Sequence, residues 1–273
     1  MNRFALGLTV CVALCTIGFI GCQEGDKEGA NEAASSSTVT DDESENASSE
    51  GDKKMTEVVK SNYSDSVLRH AVFFKFKDES SEADIQGVTD AFAALPKSIP
   101  EIIDFQWGVN NSGEGHDNGF THCFLLTFKD ESGRDVYLPH AAHKAFVDVL
   151  RPHMADVFVI DYFGKAADSG IEKELKHCVF FKFKDDAAAD DVEKVENAFA
   201  ALPGKVDAIK DFEWGKNNSP ESHDDGFTHC FMVTFDSEDG IKEYLPHPDH
   251  VAFVEVLKPV LDKVRVLDFW ETK

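Results

Sequence analysis

Positive charge is scarce in this sequence. Lys and Arg number 27 against 51 Asp and Glu, a net of -24 over 273 residues. Long-range Coulomb repulsion therefore argues against nucleic acid and anionic membrane surfaces as partners. Cysteine is scarce too, with six in all, and Cys11, Cys15 and Cys22 fall in the first 22 residues. The remaining Cys123, Cys178 and Cys230 are odd in number and lack any CxxC spacing, which speaks against a disulfide framework or a zinc knuckle. They read as small buried hydrophobes. The apolar run from Phe4 to Ile20 is too short and too lopsided for a stable membrane span.

What that run does resemble is an export signal, with Arg3 before it and the small Gly21 after it. Phe19-Ile20-Gly21-Cys22 resembles a bacterial lipobox, with Phe where Leu is usual. That implies a lipoprotein-type signal over residues 1–22, with Cys22 lipidated as the mature N-terminus. The alternative is an ordinary secretory peptide cleaved nearby. Gln23, rather than Asp, favours the outer membrane or cell surface as the location. Several acyl chains on one residue would anchor firmly, so the membrane is expected as a partner through this lipid only. Residues 23–66 are Ser, Glu, Asp, Gly, Ala and Asn with few large apolar side chains. Such a stretch cannot offset its ordering entropy and is expected to be a disordered acidic tether.

Beyond the tether the sequence repeats itself. RHAVFFKFKD at Arg69 matches KHCVFFKFKD at Lys176, and DFQWGVNNSGEGHDNGFTHCFLLTF at Asp104 matches DFEWGKNNSPESHDDGFTHCFMVTF at Asp211. A constant shift of 107 relates His70 to His177, Trp107 to Trp214, Tyr137 to Tyr244 and Asp161 to Asp268. Two copies of one domain follow, residues 67–163 and 175–273, joined by a polar linker at 164–174.

Each copy has the pattern β-α-β-β-α-β, so the expected fold class is α+β with two ferredoxin-like repeats. A helical stretch from about Gly133 to Met154 is interrupted at Pro139. Helices cover only one side of such a sheet, yet the first strand is apolar on both: His70, Val72, Phe74 and Phe76 alternate with Ala71 and Phe73. The bare faces are therefore expected to pack on each other as an intrachain pseudo-dimeric α/β barrel. The histidines His70 and His122 are placed on its interior face. Cys178 and Cys230 are expected at opposite ends of a ladder, roughly 13 Å apart and too far for a disulfide.

The strands HAVFFKFKD and HCVFFKFKD, the loops GVNNSGEGHDNGFTH and GKNNSPESHDDGFTH, the stretches YLPHAAH and YLPHPDH, and the endings IDYF and LDFW together resemble the stress-responsive A/B barrel (Dabb) family. The resemblance implies a dimeric or tandem α/β barrel. Most members have no assigned activity, but the family includes a plant polyketide cyclase that works with a tyrosine and a histidine. By motif these fall on Tyr137 with His143 and Tyr244 with His250. Further cavity histidines fall on His70, His122, His177 and His229.

The chemistry open to these residues is acid–base. With His247 as a cap and Pro248 opening a helix, His250 sits in the first turn, where the dipole disfavours the imidazolium. A neutral imidazole can take a proton from carbon beside a carbonyl, and Tyr244 can donate to the oxygen. Asp249 is expected to oppose this by favouring the charged histidine. In the first copy Ala142 stands in its place, so the two sites need not be equally active. The expected function is an extracytoplasmic barrel protein that binds a small, partly apolar molecule in its cavities, with cyclase-like or lyase-like chemistry if it is an enzyme. A non-catalytic structural or stress-protective scaffold is the alternative, and haem or metal binding is a third. His140 and His247 share a helical spacing with the next histidine, but no third ligand follows, so neither a metal nor another cofactor is expected. The histidines His116 and His223 are expected at the rim.

Overall fold

The computed structural model describes residues 61–167 and 169–272. Cys22, the signal sequence and nearly all of the tether lie outside the described residues.

Each repeat starts with a long strand, β1 (Ser66–Phe76) or β5 (Leu175–Phe183), followed by α1 (Glu82–Ala93) or α4 (Ala189–Ala200). Ser81 starts α1 with a capping box, its hydroxyl accepting from Asp84 N while the Asp84 carboxylate accepts from Ser81 N. Val88 and Phe92, a turn apart, give it a buried face. Two strands come next, β2 (Ile102–Val109) and β3 (His122–Phe128), or β6 (Asp211–Lys216) and β7 (His229–Phe235). Two short helices then lead to the last strand. They are α2 (Glu131–Tyr137) and α3 (Ala141–Leu150) before β4 (Met154–Lys165), and α5 (Glu238–Tyr244) and α6 (Pro248–Leu257) before β8 (Leu261–Trp270). The expected break at Pro139 separates α2 from α3. The sheets are antiparallel, ordered β2-β3-β1-β4 and β6-β7-β5-β8.

The two sheets pack face to face. Ala71, Phe73, Cys123, Leu125, Phe158 and Ile160 of the first meet Cys178, Phe180, Cys230, Met232 and Leu267 of the second in one buried cluster. Phe73 and Phe158 set their rings edge-on against Phe180 at 5.2 and 5.0 Å. The middle of this interior is filled by side chains, and at one end a polar cavity of about 230 Å³ opens between the sheets, lined by Arg69, Gln106, Lys176 and Glu213 among others. The opposite faces, with Val72, Phe74, Phe124 and Leu126 in the first repeat, pack beneath the helices.

That division corrects the expected placement of the histidines. His70 alternates with Ala71 and Phe73, so it faces the helix layer with Val72 and Phe74, and not the space between the sheets. Its ring accordingly lies 5.5 Å from that of Tyr137, at the end of α2.

The barrel closes along two seams where glycine is required. At one, Trp107 and Thr272 exchange both backbone hydrogen bonds at 3.0 and 2.8 Å, and a Cβ on the adjacent Gly108 would run into the Trp270 carbonyl. At the other, a Cβ on Gly215 would come within 2.9 Å of Tyr162 Cβ. Glu213 crosses this second seam, accepting from the Tyr162 hydroxyl at 2.8 Å and from Arg69 Nε at 3.0 Å.

The cysteine geometry also needs correction. The seven residues of β7 pair only with the first seven of β5, so Cys230 lies opposite Phe180, two positions from Cys178. The two are neighbours in the same cluster and not at opposite ends. All three cysteines among the described residues are free and buried, and Cys178 Sγ lies 3.3 Å from Met232 Sδ.

Candidate functional site

Tyr137 ends α2, and Pro139 forces the chain to restart at His140, whose Nδ1 caps α3 by accepting from Ala142 N at 3.1 Å. His143 then falls in the first turn and folds back, its Nδ1 3.0 Å from the Leu138 carbonyl oxygen. A carbonyl can only accept, so Nδ1 carries the proton and Nε2 keeps its lone pair. Burial lowers the His143 pKa, which keeps the ring neutral. Its ring sits 4.3 Å from that of Tyr137. Burial pushes the Tyr137 phenol well above its ordinary value, with Glu221 and Asp161 adding to the shift, so it remains a hydrogen-bond donor.

A second histidine, His70, also packs against Tyr137, with its ring 5.5 Å away, and its pKa is shifted in the opposite direction. Burial works against the charged form of His70, but Asp161, 2.6 Å from Nδ1, overrides it through charge and hydrogen bond together and raises the pKa. Arg134 Nη1 reaches the other Asp161 oxygen at 3.1 Å, and Glu221 Oε2 lies 3.8 Å from His70 Nε2. Two titratable groups pushed apart around a phenol are the arrangement that acid–base chemistry requires. A cavity of about 120 Å³ opens beside them, lined by Phe74, Phe92 and Phe146 among others and rimmed by Glu221 and His223.

The second repeat copies this layout. His177 Nδ1 lies 2.7 Å from Asp268, Tyr244 and His250 hold their rings 4.3 Å apart, and His250 Nδ1 donates to the Leu245 carbonyl at 2.9 Å. Burial lowers the His250 pKa, and the Asp268 carboxylate overrides burial to raise that of His177. One difference stands out: Arg134 has Ile241 as its counterpart, so no guanidinium faces Asp268. Instead Glu114, His177 and Asp268 bring one ligand atom each to within 4.8 Å of one another.

Each site is completed by the other repeat. Asn217 Oδ1 accepts from Asp161 N at 3.2 Å and Asn218 N donates to Asp161 O at 2.9 Å, which carries the β6–β7 loop and its Glu221 over the first site. Asn110 and Asn111 make the same two bonds to Asp268 at 3.0 and 2.9 Å and bring Glu114 to the second. The NN pair common to both loops is thus a clamp on the opposite aspartate.

Not every expected residue is at these sites. His122 pairs with Phe74, four residues along β1 from His70 and so about 13 Å away. It packs against Phe76 at 5.0 Å. His229 is likewise remote, hydrogen-bonded to Glu196 at 2.9 Å and flanked by Trp214. Asp249 turns away from His250 towards Lys205, at 3.3 Å. His247 caps α6 as expected, and His116 and His223 are exposed. The sequence did not reveal Asp161, Arg134 and Glu221 as members of the candidate site. An aspartate inside the apolar endings IDYF and LDFW was the signal available.

The model of the stress responsive A/B barrel domain matches residues 68–163 and again 175–271. The chain belongs to that family. It is 37% identical over 98 residues to the stress-response A/B barrel domain-containing protein HS1 of Arabidopsis thaliana, covering 36% of this chain and 90% of that protein. To olivetolic acid cyclase of Cannabis sativa it is 32% identical over 99 residues, covering 36% of this chain and 98% of the cyclase. A provisionally assigned monooxygenase from Fusobacterium nucleatum covers 77% of this chain and 94% of its own with a TM-score of 0.53, and at 9% identity it shares the fold alone.

Proposed function

We propose that this A/B barrel protein binds a small, partly apolar carbonyl compound beneath the helices of each repeat and moves a proton on the carbon next to the carbonyl. His143 Nε2 takes the proton, the Tyr137 hydroxyl donates to the oxygen as charge builds there, and His70 supplies positive charge nearby. Tyr244, His250 and His177 take the same parts in the second repeat. The observation that carries this reading is the His143 Nδ1–Leu138 carbonyl bond, because it frees Nε2 as a base. Likeness to olivetolic acid cyclase over nearly all of that enzyme supports a cyclase-like reaction. The cavity is close to the size that admits a benzene-sized group, which favours a compact substrate or the reacting end of a longer one. We also propose export and attachment to a bacterial membrane through lipid on Cys22, a reading supported by the lipobox-like Phe19–Cys22 and by the acidic stretch after it.

The test is hydrogen–deuterium exchange at the central carbon of a small 1,3-dicarbonyl, followed by NMR with the full chain. The expected result is acceleration over buffer that falls by about 10²–10⁴ when His143→Ala is combined with His250→Ala. No acceleration by the wild type, or none lost in the variant, contradicts the reading. For the anchor, Cys22→Ser should release the protein from the membrane fraction, and retention there contradicts it.

A further inference from the structure

We propose that the second repeat holds one divalent first-row transition ion between Glu114, His177 and Asp268, and that the first repeat, with Arg134 in place, does not. The proposal does not depend on the acid–base reading, and with the ion bound the positive charge beside Tyr244 would come from the metal and not from a protonated His177.

The three groups already face one point. His177 Nδ1 is 2.7 Å from an Asp268 oxygen and 3.8 Å from Glu114 Oε1, and all three ligand atoms fit within 4.8 Å. They come from the β2–β3 loop, β5 and β8, so spacing along the chain could not have revealed them. An ion on Nδ1 would replace the proton that now bridges His177 and Asp268, and both carboxylates would turn to it. One imidazole nitrogen with two carboxylates suits Zn²⁺ or Mn²⁺, whereas Mg²⁺ and Ca²⁺ prefer oxygen throughout.

Comparison of the repeats supplies the second argument. In the first, Arg134 Nη1 lies 3.1 Å from Asp161 and pairs with its carboxylate. In the second, the same place is taken by the half-buried Ile241. Among the described residues no Lys or Arg lies within salt-bridge distance of Asp268. Two carboxylates are then left with a single imidazole in a largely dehydrated space, where uncompensated charge is costly.

Unused polar atoms at the same spot supply the third. Glu114 Oε1 is buried and has no hydrogen-bond partner, as is also true of Glu221 Oε2 at the first site. The hydroxyl of Tyr244, a side chain with 0% exposure, has none either, so the tyrosine is what sets the second site apart. The Tyr244 ring lies 5.7 Å from that of His177, and the Glu114 charge adds to the rise that burial causes in the phenol's pKa. An ion would take Glu114 Oε1 as a ligand, and water on the ion would give the Tyr244 hydroxyl a partner.

Isothermal titration of the metal-stripped full chain with Zn²⁺ tests this. One saturable site per chain is expected, weakened at least about tenfold in Glu114→Gln and lost in Ile241→Arg, which installs the cation of the first repeat. Glu221→Gln, the matching change at the other site, should leave it unaltered. Because Ile241→Arg alters a packed position, its folding is checked by thermal melting, and Glu114→Gln on the loop carries the test if it does not fold. Absence of a saturable site, survival of that site at full affinity in Glu114→Gln, or its loss in Glu221→Gln would each overturn the proposal.

Discussion

Tyr137 and His143 hold their rings 4.3 Å apart, and Tyr244 and His250 keep the same separation 107 residues later. Both pairs are made by one local device. A proline stops a helix just after the tyrosine, a histidine caps the next helix, and the second histidine folds its Nδ1 onto the carbonyl that the break left open. The pairs are built the same way, but their surroundings differ.

If Tyr244 served only to fix the turn, its hydroxyl would need a bond to backbone. It has none. Tyr244→Phe should therefore leave stability unchanged or raise it by about 1 kcal/mol, as expected when an unsatisfied buried hydroxyl is removed. Urea unfolding measures this, and a clear loss of stability would assign the hydroxyl a structural bond.

The two buried aspartates should differ in weight. Asp161→Asn takes the buried carboxylate from His70, leaves Arg134 with only the exposed Glu131 and Asp135 as ion-pair partners, and should cost about 3–5 kcal/mol. Asp268→Asn, with only a histidine across from it, should cost less when measured free of metal. Equal losses would mean that Arg134 is satisfied elsewhere.

Stability should fall on the alkaline side. The folded-state pKa of His70 is raised by Asp161 and Glu221 against burial and Arg134, and that of His177 is raised by Asp268 and Glu114 against burial. A raised pKa gives a contribution fully present below the unfolded value of 6.5 and lost as pH rises through the folded one. Denaturation across pH 6–9 should show this decline, and His70→Gln with His177→Gln should flatten it. An unaltered slope in the double variant would refute the assignment.

Closure of the barrel can be tested at Gly108. A methyl group there meets the Trp270 carbonyl and the Phe269 ring, so Gly108→Ala should cost about 1–3 kcal/mol. Gly113→Ala, where nothing lies within 4 Å, should stay within about 0.5 kcal/mol of wild type. Equal effects in thermal melts would place the seam elsewhere.

Much of this was legible in the sequence because it is either local or repeated. The shift of 107 exposed the tandem, alternation in the strands showed that both sheet faces needed cover, and YLPHAAH and YLPHPDH showed the tyrosine, the cap and the second histidine. Which apolar face meets which partner was not legible, since His70–Phe76 and Ala71–Phe73 both read as buried. That ambiguity put His70 between the sheets and grouped His122 with it. Glu114 and Glu221 escaped notice for another reason: each belongs to a site in the opposite repeat, reached through loops whose path the sequence does not state. Ile241 has meaning only once Arg134 is seen against Asp161.

One tyrosine packs against two imidazoles whose pKa values are shifted in opposite directions, down at His143 and up at His70. Side-chain ¹⁵N NMR of His143 and His70 in the full chain, titrated from pH 5 to 9, reads both shifts and both tautomers. The expected result is His143 protonated on Nδ1 alone with a midpoint below 6.5, and His70 with a midpoint above 6.5. A His143 ring protonated on Nε2 at neutral pH, or a His70 midpoint below that of His143, would contradict it.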